Sequence, residues 1–363
     1  MRFGLFYEMS VRGRTKQVEQ DVFTNCLNQI ELADQLGFGS VWFVEHHFVR
    51  GFSHSSSPEM LLAAASQRTS RIRLGHGVVI MPVVHPARIA ARMAALDILS
   101  GGRAEFGVGR GASPTEYHVF DVPFEESRPR FEECLDATLK IFHAAGEEVG
   151  YDGKYYKFPP VRVIPQPVQE PHPPVWAAVV TQTSWDYAAR LGLNVLVIST
   201  LDSIDRQAEY IARYKQVREE HGHDPEGGRV GLLIPTYVGE SADEAFATAA
   251  DDLSWYFKRV TRLVANSNNQ QEINATYQHF GQELAQRDRD EALTTLNEQR
   301  MVILGDGDHF AQVARDYEAI GLTDLLPQAQ LGGLSHEAIC GTLRRISEAV
   351  DLEGAPVAAA AEG

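Results

Sequence analysis

Cysteine is scarce in this chain of 363 residues: only Cys26, Cys134 and Cys340 occur, far apart and without a CxxC spacing. That excludes a disulfide framework and a cysteine-based zinc site, and it fits a reducing compartment. Long apolar runs are missing as well. No stretch approaches the about 18 uninterrupted apolar residues of a membrane span, and Met1-Arg2-Phe3-Gly4-Leu5-Phe6 is too short a run for a signal peptide, so a soluble, cytoplasmic protein is expected. Positive charge is outnumbered, with 33 Lys and Arg against 49 Asp and Glu and a net charge of -16. Nucleic acid and anionic membrane surfaces need a basic footprint, so neither is expected as a partner. The Gly-x-Gly-x-x-Gly dinucleotide fingerprint and internal repeats are also absent.

What remains is enough for a large core: 44% of the residues are hydrophobic and 9% aromatic. Short β-rich runs alternate with longer segments of helical period, the pattern of an α/β fold with a parallel sheet. Strands are expected at Arg2 to Phe6, Ser40 to Val44, Arg71 to Met81, Arg103 to Val108, Val175 to Val179, Val195 to Ile198, Arg229 to Val238 and Thr323 to Leu326. Helices are expected at about Val18 to Leu36, Pro58 to Ser70, Pro86 to Leu99, Arg128 to Ala145, Ser184 to Leu191, Ser203 to His221, Ala242 to Val264 and Ser335 to Asp351. Eight strands each followed by a helix predict a (β/α)8 TIM barrel in a single domain over residues 1–352. Two surpluses read as insertions, one before strand 5 and one before strand 8. Residues 147–174 are rich in proline, and the polar residues 265–300 read either as a mobile lid or as an ordinary surface insertion. The Ala-rich residues 353–363 are expected to be a disordered tail.

A barrel builds its site from the C-terminal ends of its strands, so those ends are the places to search. The second strand runs into Val44-Glu45-His46-His47-Phe48. Side chains alternate along a strand, so one of His46 and His47 faces inward while the other packs outward. The third strand carries His76-Gly77-Val78, the fourth ends in Gly107-Val108-Gly109-Arg110-Gly111, and the fifth ends in Val180-Thr181-Gln182-Thr183-Ser184. Glycines at strand ends let a flat ligand approach the backbone. Hydroxyls where a helix begins, with Arg110 and Arg128 nearby, are the groups that would hold a phosphate. Each piece alone is equally at home in an ordinary turn, cap or solvated surface.

In this order, the stretches Gly37 to Phe48, Leu74 to Pro86 and Ser100 to Gly111, with Gly305 and Leu331-Gly332-Gly333-Leu334, resemble the bacterial luciferase-like family of flavin-dependent monooxygenases. The resemblance covers almost the whole chain, and Glu45-His46-His47-Phe48 is its most specific block. It implies the (β/α)8 barrel independently of the strand count. It also implies an enzyme that binds FMN through Arg110, Arg128, Thr181 and Ser184, along Gly109 and Val180, with a non-proline cis peptide at Gly77-Val78 against the ring. It makes His46 the catalytic histidine, with His47 and Glu45 beside it, and it points to Phe6, Phe48, Ile198 and Trp255, next to Tyr256, for the substrate pocket. The reaction implied uses reduced FMN from a separate flavin reductase and O2, through a flavin hydroperoxide, to oxygenate a small organic substrate such as an aldehyde or ketone. A homodimer, or a heterodimer with a related subunit, is the assembly implied. Gly109 stands where the luciferase catalytic subunit has a reactive cysteine, and Val180 where it has a glutamate, so light emission is not implied. Three other readings stay open: deazaflavin-dependent hydride transfer on the same fold, a metal-dependent barrel hydrolase using histidines such as His46, His47, His76 and His85, and a non-catalytic flavin-binding relative.

Overall fold

The β-branched and aromatic runs form strands, and eight of them close on themselves. The computed structural model describes residues 1–13, 15–265 and 287–354. Its strands are β1 (Arg2–Tyr7), β2 (Ser40–Phe43), β3 (Arg73–His76), β4 (Val79–Ile80), β5 (Ala104–Gly109), β6 (Val149–Asp152), β7 (Lys157–Val161), β8 (Val175–Ala178), β9 (Asn194–Ile198), β10 (Val230–Val238), β11 (Ile303–Gly305) and β12 (Asp324–Gln328). Parallel pairing runs β1-β2-β3-β5-β8-β9-β10-β12 and returns to β1, which is a closed eight-stranded barrel. All eight expected strands are in it. The long third run is split into β3 and β4 on either side of Gly77–Val78, a non-proline cis peptide, and β4 pairs with β5.

The helices are α1 (Lys16–Leu36), α2 (Pro58–Ser66), α3 (Pro86–Ser100), α4 (Pro114–Val119), α5 (Ser127–His143), α6 (Gln182–Arg190), α7 (Ile204–Glu220), α8 (Ala242–Ala265), α9 (Arg289–Glu298), α10 (Gly307–Ala319) and α11 (His336–Ala349). Their buried faces and the outer faces of the strands form the main core, from Ile30 and Phe43 through Phe106 and Tyr214 to Phe310 and Ile346. Inside the barrel Phe6, Trp42, Val44, Trp176, Leu196, Leu233 and Leu326 form a separate plug. Trp42 meets Trp176 edge-on at 5.1 Å, and its ring occupies the space a side chain at position 75 would need, since a Cβ there would lie 2.2 Å from Trp42. That is why β3 carries Gly75.

Two elements differ from the sequence expectation. Residues 147–174 contain an antiparallel hairpin, β6 with β7. The helix α8 forms as expected after β10, yet it does not pack into the main core. Ala245, Ala249, Leu253, Tyr256 and Phe257 cluster with Leu293, Leu296, Val302 and Leu304, a second small core beside the barrel mouth. The ring position before the last strand is filled instead by α10, whose Phe310, Val313 and Tyr317 join the main core. Periodicity gave α8 its helix; only packing decides which core a helix joins. Residues 266–286 of the expected lid and 355–363 of the expected tail lie outside the described residues. The end of the lid segment that is described contains α9.

Candidate active site

The C-terminal ends of the strands surround a cavity of about 270 Å3. β1 contributes Phe6 and, just past its end, Glu8; the loop after β2 contributes Val44, His46 and Phe52. The β3–β4 junction supplies Gly77 and Val78, the end of β5 supplies Gly109 to Ala112, and β8 with the start of α6 supplies Ala177, Val180, Thr181 and Ser184. Ile198, Leu233 and Pro235 continue the wall, and α8 closes it with Tyr256, Phe257 and Val260.

His46 is the polar centre of one corner. Its backbone N–H donates to Ser55 O at 3.0 Å, and Ser55 in turn donates its hydroxyl to Val44 O at 2.6 Å, which pins the loop. Its Nδ1 lies 3.1 Å from Glu116 Oε1 and its Nε2 lies 3.5 Å from Glu8 Oε1. Glu116 is fully buried on α4, and the same Oε1 accepts the His47 N–H at 2.8 Å. Burial pulls the His46 pKa down, but the hydrogen bond it donates to Glu116 and the charges of Glu8, Glu116 and Glu45 outweigh it, so the pKa is raised. Burial pushes the Glu8 carboxyl up to about 7, partly offset by His46 and by the Tyr256 hydroxyl at 3.4 Å. His76, buried in β3 and absent from the cavity lining, has its pKa lowered to about 4 by burial, so its imidazole stays neutral.

The opposite end is an anion cradle. Arg110 donates from Nη1 to Ser127 Oγ at 3.1 Å, and among the described residues no carboxylate lies within ion-pairing distance of it. Burial and the neighbouring Arg128 guanidinium hold the Arg110 pKa below its ordinary value; both arginines line the cavity, and Arg128 also pairs with Glu132 at 3.4 Å. The Tyr117 hydroxyl donates to the Arg110 carbonyl and fixes the turn. Helix α6 points its N-terminus here; a capping box with Thr181 takes up the Ser184 N–H, which leaves the Gln182 and Thr183 N–H groups ahead of the first helical bond. Ser184 Oγ accepts from Val180 N and Thr181 N at 3.0 Å and donates to Thr181 O at 2.7 Å, so it shapes the turn as presented. Between the two ends the wall is flat and nearly free of side chains at Gly77 and Gly109, where a Cβ would meet Phe6 at 2.8 Å and Val78 at 2.4 Å.

The structure brings most of the expected residues together. His46, Phe6, Gly77, Val78, Gly109, Arg110, Arg128, Val180, Thr181, Ser184 and Ile198 line the cavity. His47, Glu45, Phe48 and Trp255 lie outside its lining. The His47 ring turns away, to Glu45 Oε1 at 2.9 Å and edge-on to Phe120 at 4.9 Å. Glu45 also accepts Ile80 N–H at 3.0 Å, so it ties His47 to β4. Phe48, with φ of 63°, is turned out to 57% exposure. Trp255 stacks between Arg12 and Arg259, because the 100° step of a helix that aims Tyr256 and Phe257 inward turns its neighbour aside. Of the aromatic pair Trp255-Tyr256 it is Tyr256 that lines the cavity, and Glu8, Glu116, Phe52 and Phe257 are site residues that the sequence reading did not name. Glu8 directly follows the first strand, so the strand-end search extended to that strand finds it. Nothing in the sequence announces that Glu116 returns to His46.

A family model described as luciferase-like monooxygenase matches residues 1–324. The oxygenase component of the flavin-dependent trigonelline monooxygenase of Acinetobacter baylyi is 30% identical over 276 residues, 76% of this chain and 74% of that protein. The crystal structure of monooxygenase RslO1 from Streptomyces bottropensis matches with a TM-score of 0.82 at 27% identity, over 96% of this chain and 98% of that one. The oxygenating constituent of 3,6-diketocamphane monooxygenase from the CAM plasmid of Pseudomonas putida, solved in complex with FMN, matches with a TM-score of 0.76 at 19% identity, over 98% and 100%. The same barrel recurs in coenzyme F420 dependent enzymes. At identities this low the last likenesses show the fold alone.

Proposed function

This chain belongs to the luciferase-like monooxygenase family, and from that premise we propose that it is the oxygenase of a two-component system. It takes reduced FMN from a separate flavin reductase and, with O2, transfers one oxygen atom to a small organic substrate such as an aldehyde or ketone. The observation that carries this reading is the pairing, in one cavity, of an anion cradle with a histidine held between two carboxylates.

The residues present fit FMN. Arg110 and Arg128 both line the cavity, Arg110 without a carboxylate partner and Arg128 beside Glu132, which suits a phosphate; α6 adds N–H groups and the Thr181 hydroxyl. Gly77, Val78 and Gly109 offer a flat wall to a ring system. Bound reduced FMN supplies the two electrons with which dioxygen delivers one atom to the substrate and the other to water. The chain supplies the rest. Glu116 holds a proton on Nδ1 of His46, which leaves Nε2 to hold or move a proton on the cavity side. Phe6, Phe52, Phe257 and Leu233 exclude water from the space around it.

Anaerobic titration with reduced FMN, and in parallel with a reduced deazaflavin, followed by rapid mixing with oxygen, tests the reading. We expect FMN to bind in preference and its reoxidation to be far slower than in free solution. Immediate reoxidation would remove the oxygenase reading, and binding of deazaflavin alone would make the chain a hydride-transfer enzyme on the same barrel.

A further inference from the structure

Glu8, His46, Phe52 and Tyr256 form one corner of the cavity, with Glu116 behind His46, and each carboxylate keeps one buried oxygen without a hydrogen bond, Glu8 Oε1 and Glu116 Oε2. Glu8 Oε2 is met by the Tyr256 hydroxyl at 3.4 Å, whereas Glu8 Oε1, equally buried, has no hydrogen-bond partner within the protein. Buried polar atoms without partners are few in folded proteins and costly, and this one belongs to a side chain that lines a cavity. His46 Nε2 stands 3.5 Å away without hydrogen-bond geometry, so a ligand oxygen placed between the two would complete both.

The neighbouring bonds state what kind of atom. Glu116 Oε1 accepts the His47 N–H, so it is an acceptor and the His46 Nδ1 facing it must carry a hydrogen. The 3.5 Å space between His46 Nε2 and Glu8 Oε1 is where this pair holds its next proton. The corner thus presents one hydrogen to donate and one lone pair to accept, beside an acidic wall that rejects carboxylates. That suits an uncharged oxygen. The walls add shape: the Phe52 and Tyr256 rings lie 17° from parallel with centroids 6.0 Å apart, and His46 tilts against Phe52 at 5.4 Å. Stacked rings make a flat apolar face.

We propose that Glu8 is a substrate-binding residue that selects ring-shaped apolar substrates carrying one uncharged oxygen and anchors that oxygen between Oε1 and His46 Nε2, a hydroxyl by donating to the open lone pair and accepting the hydrogen held there, a carbonyl by accepting that hydrogen alone. The inference rests on the cavity being the oxygenase site proposed above.

The test measures binding of phenol, cyclohexanone and toluene to the full chain by NMR, in the wild type, Glu8→Leu and Glu8→Gln. Wild type is expected to hold phenol or cyclohexanone about ten-fold more tightly than toluene. Glu8→Leu should erase that preference without weakening toluene. Glu8→Gln, isosteric and still polar, should keep part of it and lower the pH at which the His46 ring nitrogens titrate, a change that a merely structural role would not produce. Preference for phenol alone supports the hydroxyl form of the proposal, and for cyclohexanone alone the carbonyl form. A preference that survives Glu8→Leu, or oxygen-bearing probes that bind no better than toluene, overturns it. The probes are measured without flavin, and FMN affinity is measured separately in each variant. A chain that fails to bind FMN but keeps the Glu8-dependent preference refutes the two-component reading and not this one.

Discussion

His46 has its pKa raised most by a carboxylate 70 residues away in sequence, and that dependence can be measured. Its folded pKa is raised above 6.5. The stability this linkage contributes is therefore complete below about 6.5 and fades as pH climbs through the raised value. Glu116→Gln removes both the strongest upward influence and the charge, so the pH at which His46 loses its proton should fall, and the basic limb of the activity profile with it. His46→Ala is expected to leave FMN affinity intact while cutting turnover by about a hundred-fold, the usual worth of a positioned acid or base; unchanged turnover would remove the role. At this scale the sequence was partly legible. Strand position singled out His46 and His47, alternation required one of them to face inward, and the structure gives that place to His46. Glu8 and Glu116 were not found, because a carboxylate becomes a partner only when another element arrives beside it.

Among the elements, β5 and α8 build opposite sides of the site by different means. At the end of β5 the need is for absence of a side chain: a Cβ on Gly109 would stand 2.4 Å from Val78 Cγ2 and push the Gly77–Val78 wall into the cavity. Gly109→Ala should therefore weaken FMN binding by about ten-fold, read by flavin titration, with a smaller effect on folding. α8 works by bulk. Phe257 is 1% exposed, belongs to the second core and lines the cavity. Phe257→Ala is expected to cost about 3 kcal/mol in urea unfolding and to admit water, so product formed per FMN consumed should drop. Equal yields in wild type and variant would show that α8 does not seal the reacting space. The strands and the helical character of α8 were legible from period 2 and period 3.6. The place of α8 beside the barrel was not, since an amphipathic face declares that it will be buried, not against what.

For the whole molecule, barrel closure depends on a charged layer at the end opposite the site. Glu105, 1% exposed in β5, pairs with Arg73 of β3, accepts Trp176 Nε1–H of β8 at 2.6 Å and lies 3.4 Å from Arg229, just before β10. Arg229 also pairs with Asp324 of β12 and sits over the Trp176 ring at 4.6 Å. One carboxylate thus links four neighbourhoods of the sheet. Glu105→Leu takes one acceptor each from Arg73 and Arg229, which keep Gln169 and Asp324, and leaves the Trp176 N–H without its own, and should cost about 3 kcal/mol in denaturant unfolding, with little change in FMN affinity per folded molecule. A loss confined to flavin binding would contradict that division of labour between the two ends. No helix among the described residues is long and apolar enough to cross a membrane.

The sequence by itself determined the class of fold, the eight strands and the ends worth searching, because hydrophobic period and strand-end chemistry are local and survive in one dimension. It also carried the family resemblance that the comparisons then established. Tertiary structure alone decided that Glu8 and Glu116 bracket His46, that Phe48 and Trp255 face away, and that α10 rather than α8 completes the ring. Those outcomes depend on which residues meet across the barrel mouth and on the burial that shifts their pKa values, and both exist only after closure brings distant segments together.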